Sequence, residues 1–142
     1  MNANSSDRED VRALVRYIND TWLKNPPEKI PDLLNGAFSD EIVVYGPDWK
    51  ELARGRKACV NSYANFARQG KIHECRLSDP RIDISGDTAV ATYAWDMWYG
   101  MNGQDYRESG HDVFVFTRNR GRWQAVWRLL VTSPPQGRRP SA

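Results

Sequence analysis

The stretch ESGHDVFVF, residues 108–116, decides the fold. It alternates in the manner of a strand, and its in-phase set is Glu108, Gly110, Asp112, Phe114 and Phe116. An aspartate therefore shares a face with two phenylalanines. The turn sequence NRGR follows, and then WQAVWRLLVTS, a second strand of the same kind. Both faces of this pair are partly apolar. One carries Asp112, Phe114, Phe116, Trp123, Ala125, Trp127 and Leu129; the other carries Val113, Val115, Val126 and Leu130. A sheet with one solvated face alternates more cleanly. The first set is expected to face a core or cavity. The second then needs its own cover, which a homodimer through the outer sheet face would supply, the alternative being scattered surface valines on a monomer.

Working toward the N-terminus, TAVATYAWDMWY reads as the preceding strand, joined through the hairpin GMNGQ. KIHECRLSDPRIDI reads as a long strand interrupted near Pro80. Ahead of it lies a helix from about Arg56 to Gln69, with Cys59, Tyr63, Phe66 and Ala67 on its inner stripe and Gly70 as its C-terminal cap. PDWKELARG reads as a loop and EIVVYG as a short buried strand. A short helix holds Ile30, Leu33 and Leu34. The first helix is capped by Ser6 with Glu9 three residues on, carries Val11, Leu14, Val15, Ile18 and Trp22 as its stripe, and stops at Asn25-Pro26-Pro27. The order is α-α-β-α-β-β-β-β. Segregated helices beside an antiparallel sheet define an α+β fold, with a curved sheet wrapped around a long helix to form a cone.

The 142 residues suit one domain with a core of its own. Residues 1–6 read as a flexible N-terminus, 7–132 as the domain and 133–142 as a flexible tail. A net charge of +2 gives no reason to expect a nucleic-acid or membrane partner. No apolar run approaches the roughly 18 residues of a membrane span. Cys59 and Cys75 fall in different elements and form neither a disulfide framework nor a metal cluster, which fits a reducing cytoplasm. The chain has two histidines, His73 and His111, and no Gly-rich phosphate loop, HExxH or GxSxG. No cofactor is expected. Six tryptophans and six tyrosines suit a core, an interface or a ligand cavity.

Asp112 is the first candidate for chemistry. On an aromatic face it is withdrawn from water; as a neutral acid it could donate to a developing oxyanion, and as a carboxylate it could act as a base. Equally, it could accept hydrogen bonds from a helix or an arginine and only fix the packing. Asp96 lies on a strand that is apolar on both phases. Pointing inward it would neighbour Asp112; pointing outward it is a surface charge. Tyr17 sits at the edge of the first helix's stripe, where its phenol could reach a cavity or remain at the rim. Tyr45, Tyr63, Phe66, Phe114 and Trp127 are aromatics for the core or for a ligand. Trp49, in a loop, is expected to border the mouth.

The residues VRYIND, IVVYGP, LARGRKACVNSYANF, ISGDTAVATYAW and GHDVFVFTRNRGRWQAVWRLLVTS together resemble the nuclear transport factor 2-like superfamily, in particular its small SnoaL-like bacterial members. The likeness spans residues 7–132 and implies a cystatin-like cone. Ketosteroid isomerases of this superfamily use a tyrosine and an aspartate as an oxyanion hole, which the resemblance places at Tyr17 and Asp112. Their base falls on Gly46, which cannot abstract a proton, leaving Asp48 or Asp96 as substitutes. The resemblance implies a small, mostly apolar carbonyl or phenolic ligand. An isomerase- or cyclase-type enzyme, a non-catalytic binding module and an assembly domain are all compatible with it.

Overall fold

The computed structural model describes residues 3–133. Three helices, α1 (Ala3–Lys24), α2 (Ile30–Leu34) and α3 (Arg56–Gln69), pack on one face of a sheet. Its strands are β1 (Phe38–Tyr45), β2 (Glu51–Arg54), β3 (Gly70–Leu77), β4 (Arg81–Ser85), β5 (Thr88–Met101), β6 (Gln104–Asn119) and β7 (Arg122–Thr132). The order is β2-β1-β7-β6-β5-β3, with β4 beside β3 on the same edge of β5. The sheet is curved and unclosed, in an α+β cone.

The differences from the sequence reading are local. The first helix begins at Ala3, so Ser6 lies inside it rather than capping it. Of the expected tail, 133–142, all but Ser133 lies outside the described residues. PDWKELARG is not all loop: its second half is β2, hydrogen-bonded to β1 with Val43 opposite Arg54. Strand β1 runs parallel to β7, while the other strand pairs are antiparallel. Gly70 does follow α3, but in an extended conformation that begins β3 at once.

The core lies between the concave sheet face and the helices. Phe38, Phe114, Phe116, Ile18, Ile30, Leu34 and Ile42 are fully buried there. Each such side chain stabilises the fold by roughly 1.5–3 kcal/mol. The helix stripes meet this core as their spacing predicts: Val11, Val15 and Ile18 from α1, Cys59 and Tyr63 from α3.

Two hairpins fix what faces the core. Asn102 and Gly103 both have positive φ, the geometry of a two-residue turn matched to strand twist. Pairing then runs unbroken along β5 and β6, from Met101 opposite Gln104 to Thr88 opposite Thr117. Tyr93 falls opposite Asp112, and Trp95 opposite Gly110. The second hairpin is interrupted. Val115 pairs with Trp127 but Phe116 pairs with Ala125, so Val126 is an extra residue in β7. Beyond that bulge the phase of β7 is reversed. Arg128 and Leu130 turn to the concave face, and Trp127 and Leu129 turn away. This overturns the placement of Trp127 with Phe114 and Phe116.

Candidate functional site

The two hairpins bring Asp112 and Arg128 together on the concave face. Asp112 is 3% exposed. Its Oδ2 accepts hydrogen bonds from the Tyr93 hydroxyl at 2.7 Å and from Arg128 Nη2 at 2.9 Å. The guanidinium lies between the rings of Tyr63 and Phe114, 5.2 and 5.3 Å from their centroids. From α1, Asn19 Nδ2 donates to the Tyr93 oxygen at 3.0 Å, and Trp22 Nε1 donates to Asn19 Oδ1 at 3.0 Å. A continuous chain of hydrogen bonds thus runs Trp22, Asn19, Tyr93, Asp112, Arg128.

Electrostatics follow from burial and from this pair. Burial works against the Arg128 cation, yet Asp112, with Tyr63 and Tyr93, more than offsets it and raises the Arg128 pKa. Burial raises the phenol of Tyr63, partly opposed by Arg128. Burial also raises the phenol of Tyr93, which lies beside the Asp112 charge. Both tyrosines are neutral donors. Among the described residues, Tyr63 Oη, Asp112 Oδ1, Arg128 Nε and Trp95 Nε1 are buried with no hydrogen-bond partner. Nε and Oδ1 are the atoms that a two-pronged arginine–carboxylate pair would join. The pair is therefore closed on one oxygen only.

This cluster forms one end of a cavity of about 330 Å³. Trp22, Tyr63, Phe66, Trp95, Met97 and Leu130 supply most of its apolar wall. Leu52 and Glu108, both exposed, stand at its mouth. The volume is at the small end of ligand sites, and the composition, an apolar wall with a few convergent polar groups, is that of one. Gly110 has a packing reason here: a Cβ would run into the Val131 carbonyl and the Trp95 ring that crosses it.

Of the candidates read from the sequence, Asp112, Tyr63 and Phe66 reach this site. Phe114 is fully buried beneath Arg128 instead of forming cavity wall. Tyr17 is not there. It is 45% exposed, and its hydroxyl donates to the Leu33 carbonyl at 2.6 Å, tying α1 to α2. At about 100° per residue, the face of α1 that holds Val15, Asn19 and Trp22 turns Tyr17 away. Asp96 is also outside: three residues from Tyr93, it takes the opposite face of β5, across from Ser109. Asp48 is exposed in the turn after β1, and Gly46 is buried against Leu52. Tyr45, Trp49 and Trp127 meet one another on the outer face, with ring centroids 6.0–6.5 Å apart. Trp49 is held there by β2 and by positive φ at both Asp48 and Trp49.

The sequence reading did not assign Tyr93, Asn19 or Arg128 to the site. The first had a signal. A two-residue turn at Asn102-Gly103 pairs residues whose numbers sum to a constant, and that pairing sets Tyr93 against Asp112. Asn19 had a weaker one, its helical spacing from Val15 and Trp22. Arg128 had none, because the bulge at Val126 reverses the phase.

No curated protein matches the chain. Solved structures share its fold. A nuclear transport factor 2-like superfamily protein from Salmonella enterica serovar Typhimurium has a TM-score of 0.73 at 20% identity, over 96% of this chain and 97% of that one. A ketosteroid isomerase-like protein from Erwinia carotovora atroseptica gives 0.66 at 14%, over 87% and 96%. A nuclear transport factor 2-like protein with a cystatin-like fold from Novosphingobium aromaticivorans gives 0.67 at 18%, over 93% and 85%. The family profile described as SnoaL-like domain matches residues 15–128, from the second half of α1 to Arg128 itself, and the chain belongs to the SnoaL-like domain family.

Proposed function

We propose that this domain binds a small, mostly apolar carbonyl or phenolic compound in its cavity, with the ligand oxygen at the Tyr63–Asp112–Arg128 end. The observation that carries this reading is the set of unpartnered buried polar atoms at the closed end of an apolar cavity. Leaving such groups unpaired costs about 1–3 kcal/mol each, and a ligand oxygen that pairs them recovers part of that cost. A phenol can donate to Asp112 and accept from Tyr63; a carbonyl can only accept. An isomerase- or cyclase-type reaction would use Asp112 as proton acceptor and Tyr63 with Arg128 as donors to the enolate oxygen. The role assigned to Tyr17 by resemblance passes to residues on α3 and β7, and Tyr93 with Asn19 becomes the support that orients Asp112. The partly exposed outer face, with Trp49 at its edge, supports a homodimer, which light scattering tests.

The test is a fluorescence titration with 2-naphthol, a neutral phenol that fits the cavity volume. Tyr63→Phe and Asp112→Asn should each weaken binding at least tenfold, about 1.4 kcal/mol. Tyr17→Phe should leave it unchanged. Absence of binding to the folded wild-type protein would overturn the reading.

A further inference from the structure

The cavity has two ends, and they differ in charge. Three charged residues line it: Asp112, Arg128 and Glu108. At the closed end, Arg128 and Asp112 neutralise each other across 2.9 Å. At the mouth, Glu108 makes no ion pair among the described residues. The lining therefore carries a net charge of −1, on a protein whose overall charge is +2.

Strand geometry explains why that charge belongs to the cavity. Glu108, Gly110 and Asp112 share one phase of β6, so both carboxylates face the same side, separated by about 13 Å of backbone. Gly110 between them has no side chain, and the Trp95 ring fills the space above it. The basic residues nearby are engaged elsewhere. Arg107, of opposite phase, lies over the Trp98 ring at 5.4 Å, and Arg76 Nε bonds Glu74 at 3.0 Å. Between the two carboxylates the wall is aromatic, formed by Trp22, Tyr63, Phe66 and Trp95. Aromatic faces attract cations, and an acidic mouth attracts them from solvent. The same arrangement repels an anionic ligand.

We infer that the cavity selects organic cations over organic anions: it takes an aromatic amine whose ring lies on the Trp22–Phe66–Trp95 wall and whose ammonium sits at Glu108. This rests on the ligand-binding reading above and narrows it, since a phenol bearing a basic side chain would satisfy both ends at once. Glu108 becomes the specificity-determining residue at the mouth.

Three probes of one shape separate the possibilities: neutral 2-naphthol, cationic 2-naphthylmethylamine and anionic 2-naphthoate, titrated at about pH 7, where amine and carboxylate are both charged. The amine should bind at least tenfold more tightly than the carboxylate. That preference should shrink at least fivefold in Glu108→Gln and should fall with added salt. Glu108→Gln should change naphthol binding less than it changes amine binding, since naphthol carries no ammonium. Equal or tighter binding of the carboxylate, or a preference that Glu108→Gln leaves intact, would overturn the inference while naphthol binding still upheld the cavity reading. Amine binding that depends on Glu108 without naphthol binding would do the reverse. Binding of none of the three would overturn both.

Discussion

The β5–β6 and β6–β7 hairpins share a strand and line the same cavity, yet they are built differently. The first keeps one register over its whole length, centred on Asn102-Gly103. The second carries an extra residue at Val126. The regular hairpin delivers Tyr93 to Asp112; the bulged one delivers Arg128 to the same oxygen. Bulges re-aim side chains next to functional sites, and here one bulge turns Arg128 inward to partner a buried carboxylate. The bulge also sends Trp127 to the outer face, where it meets Tyr45 and Trp49.

Substitutions in the two hairpins should differ in cost. Arg128→Ala removes the partner of a carboxylate that is 3% exposed. It should cost about 3–5 kcal/mol in urea denaturation, because Asp112 is left buried and uncompensated. Gly110→Ala, in the regular hairpin, places a methyl group against the Val131 backbone and the Trp95 ring. Overpacking of this kind should cost about 1–3 kcal/mol, with a shift in Trp fluorescence reporting the displaced ring. Tyr93→Phe removes one donor to Asp112 and the acceptor of Asn19, and should cost about 1–2 kcal/mol. Tyr17→Phe should cost less than Tyr93→Phe, since Tyr17 is solvated. Asp96→Asn, on the outer face, should change stability by no more than about 0.5 kcal/mol.

The site was legible in the sequence only in part. The inward face of β6 was, because Asp112, Phe114 and Phe116 alternate without interruption. The buried stripes of α1 and α3 were, because Val11, Val15, Ile18, Cys59 and Tyr63 recur at helical spacing. The position of Tyr93 was implicit in the Asn-Gly turn, which also sets Asp96 on the outer face. Arg128 was not legible. Val126 is as apolar as its neighbours, and no residue type marks it as the bulge. Trp49 was not legible either, because its place depends on left-handed backbone at Asp48 and Trp49, two residues without a glycine's freedom. Resemblance pointed to Tyr17 as the phenol of the site; the helix phase gives that region to Asn19 and Trp22, and the phenols come from α3 and β5.

Membership of the SnoaL-like domain family fixes the scaffold and leaves the chemistry to the site. Here the scaffold holds a carboxylate by one oxygen, between a neutral tyrosine and an arginine that remains charged.

The most direct measurement is a double-mutant cycle on that pair. Wild type, Asp112→Leu, Arg128→Met and the double variant would be compared by urea denaturation, with circular dichroism confirming that each folds. Each single change should cost about 3–5 kcal/mol, and the double change should cost less than their sum by at least about 2 kcal/mol. Additive losses would mean that Asp112 and Arg128 do not meet, and that the bulge at Val126 does not turn Arg128 into the cavity.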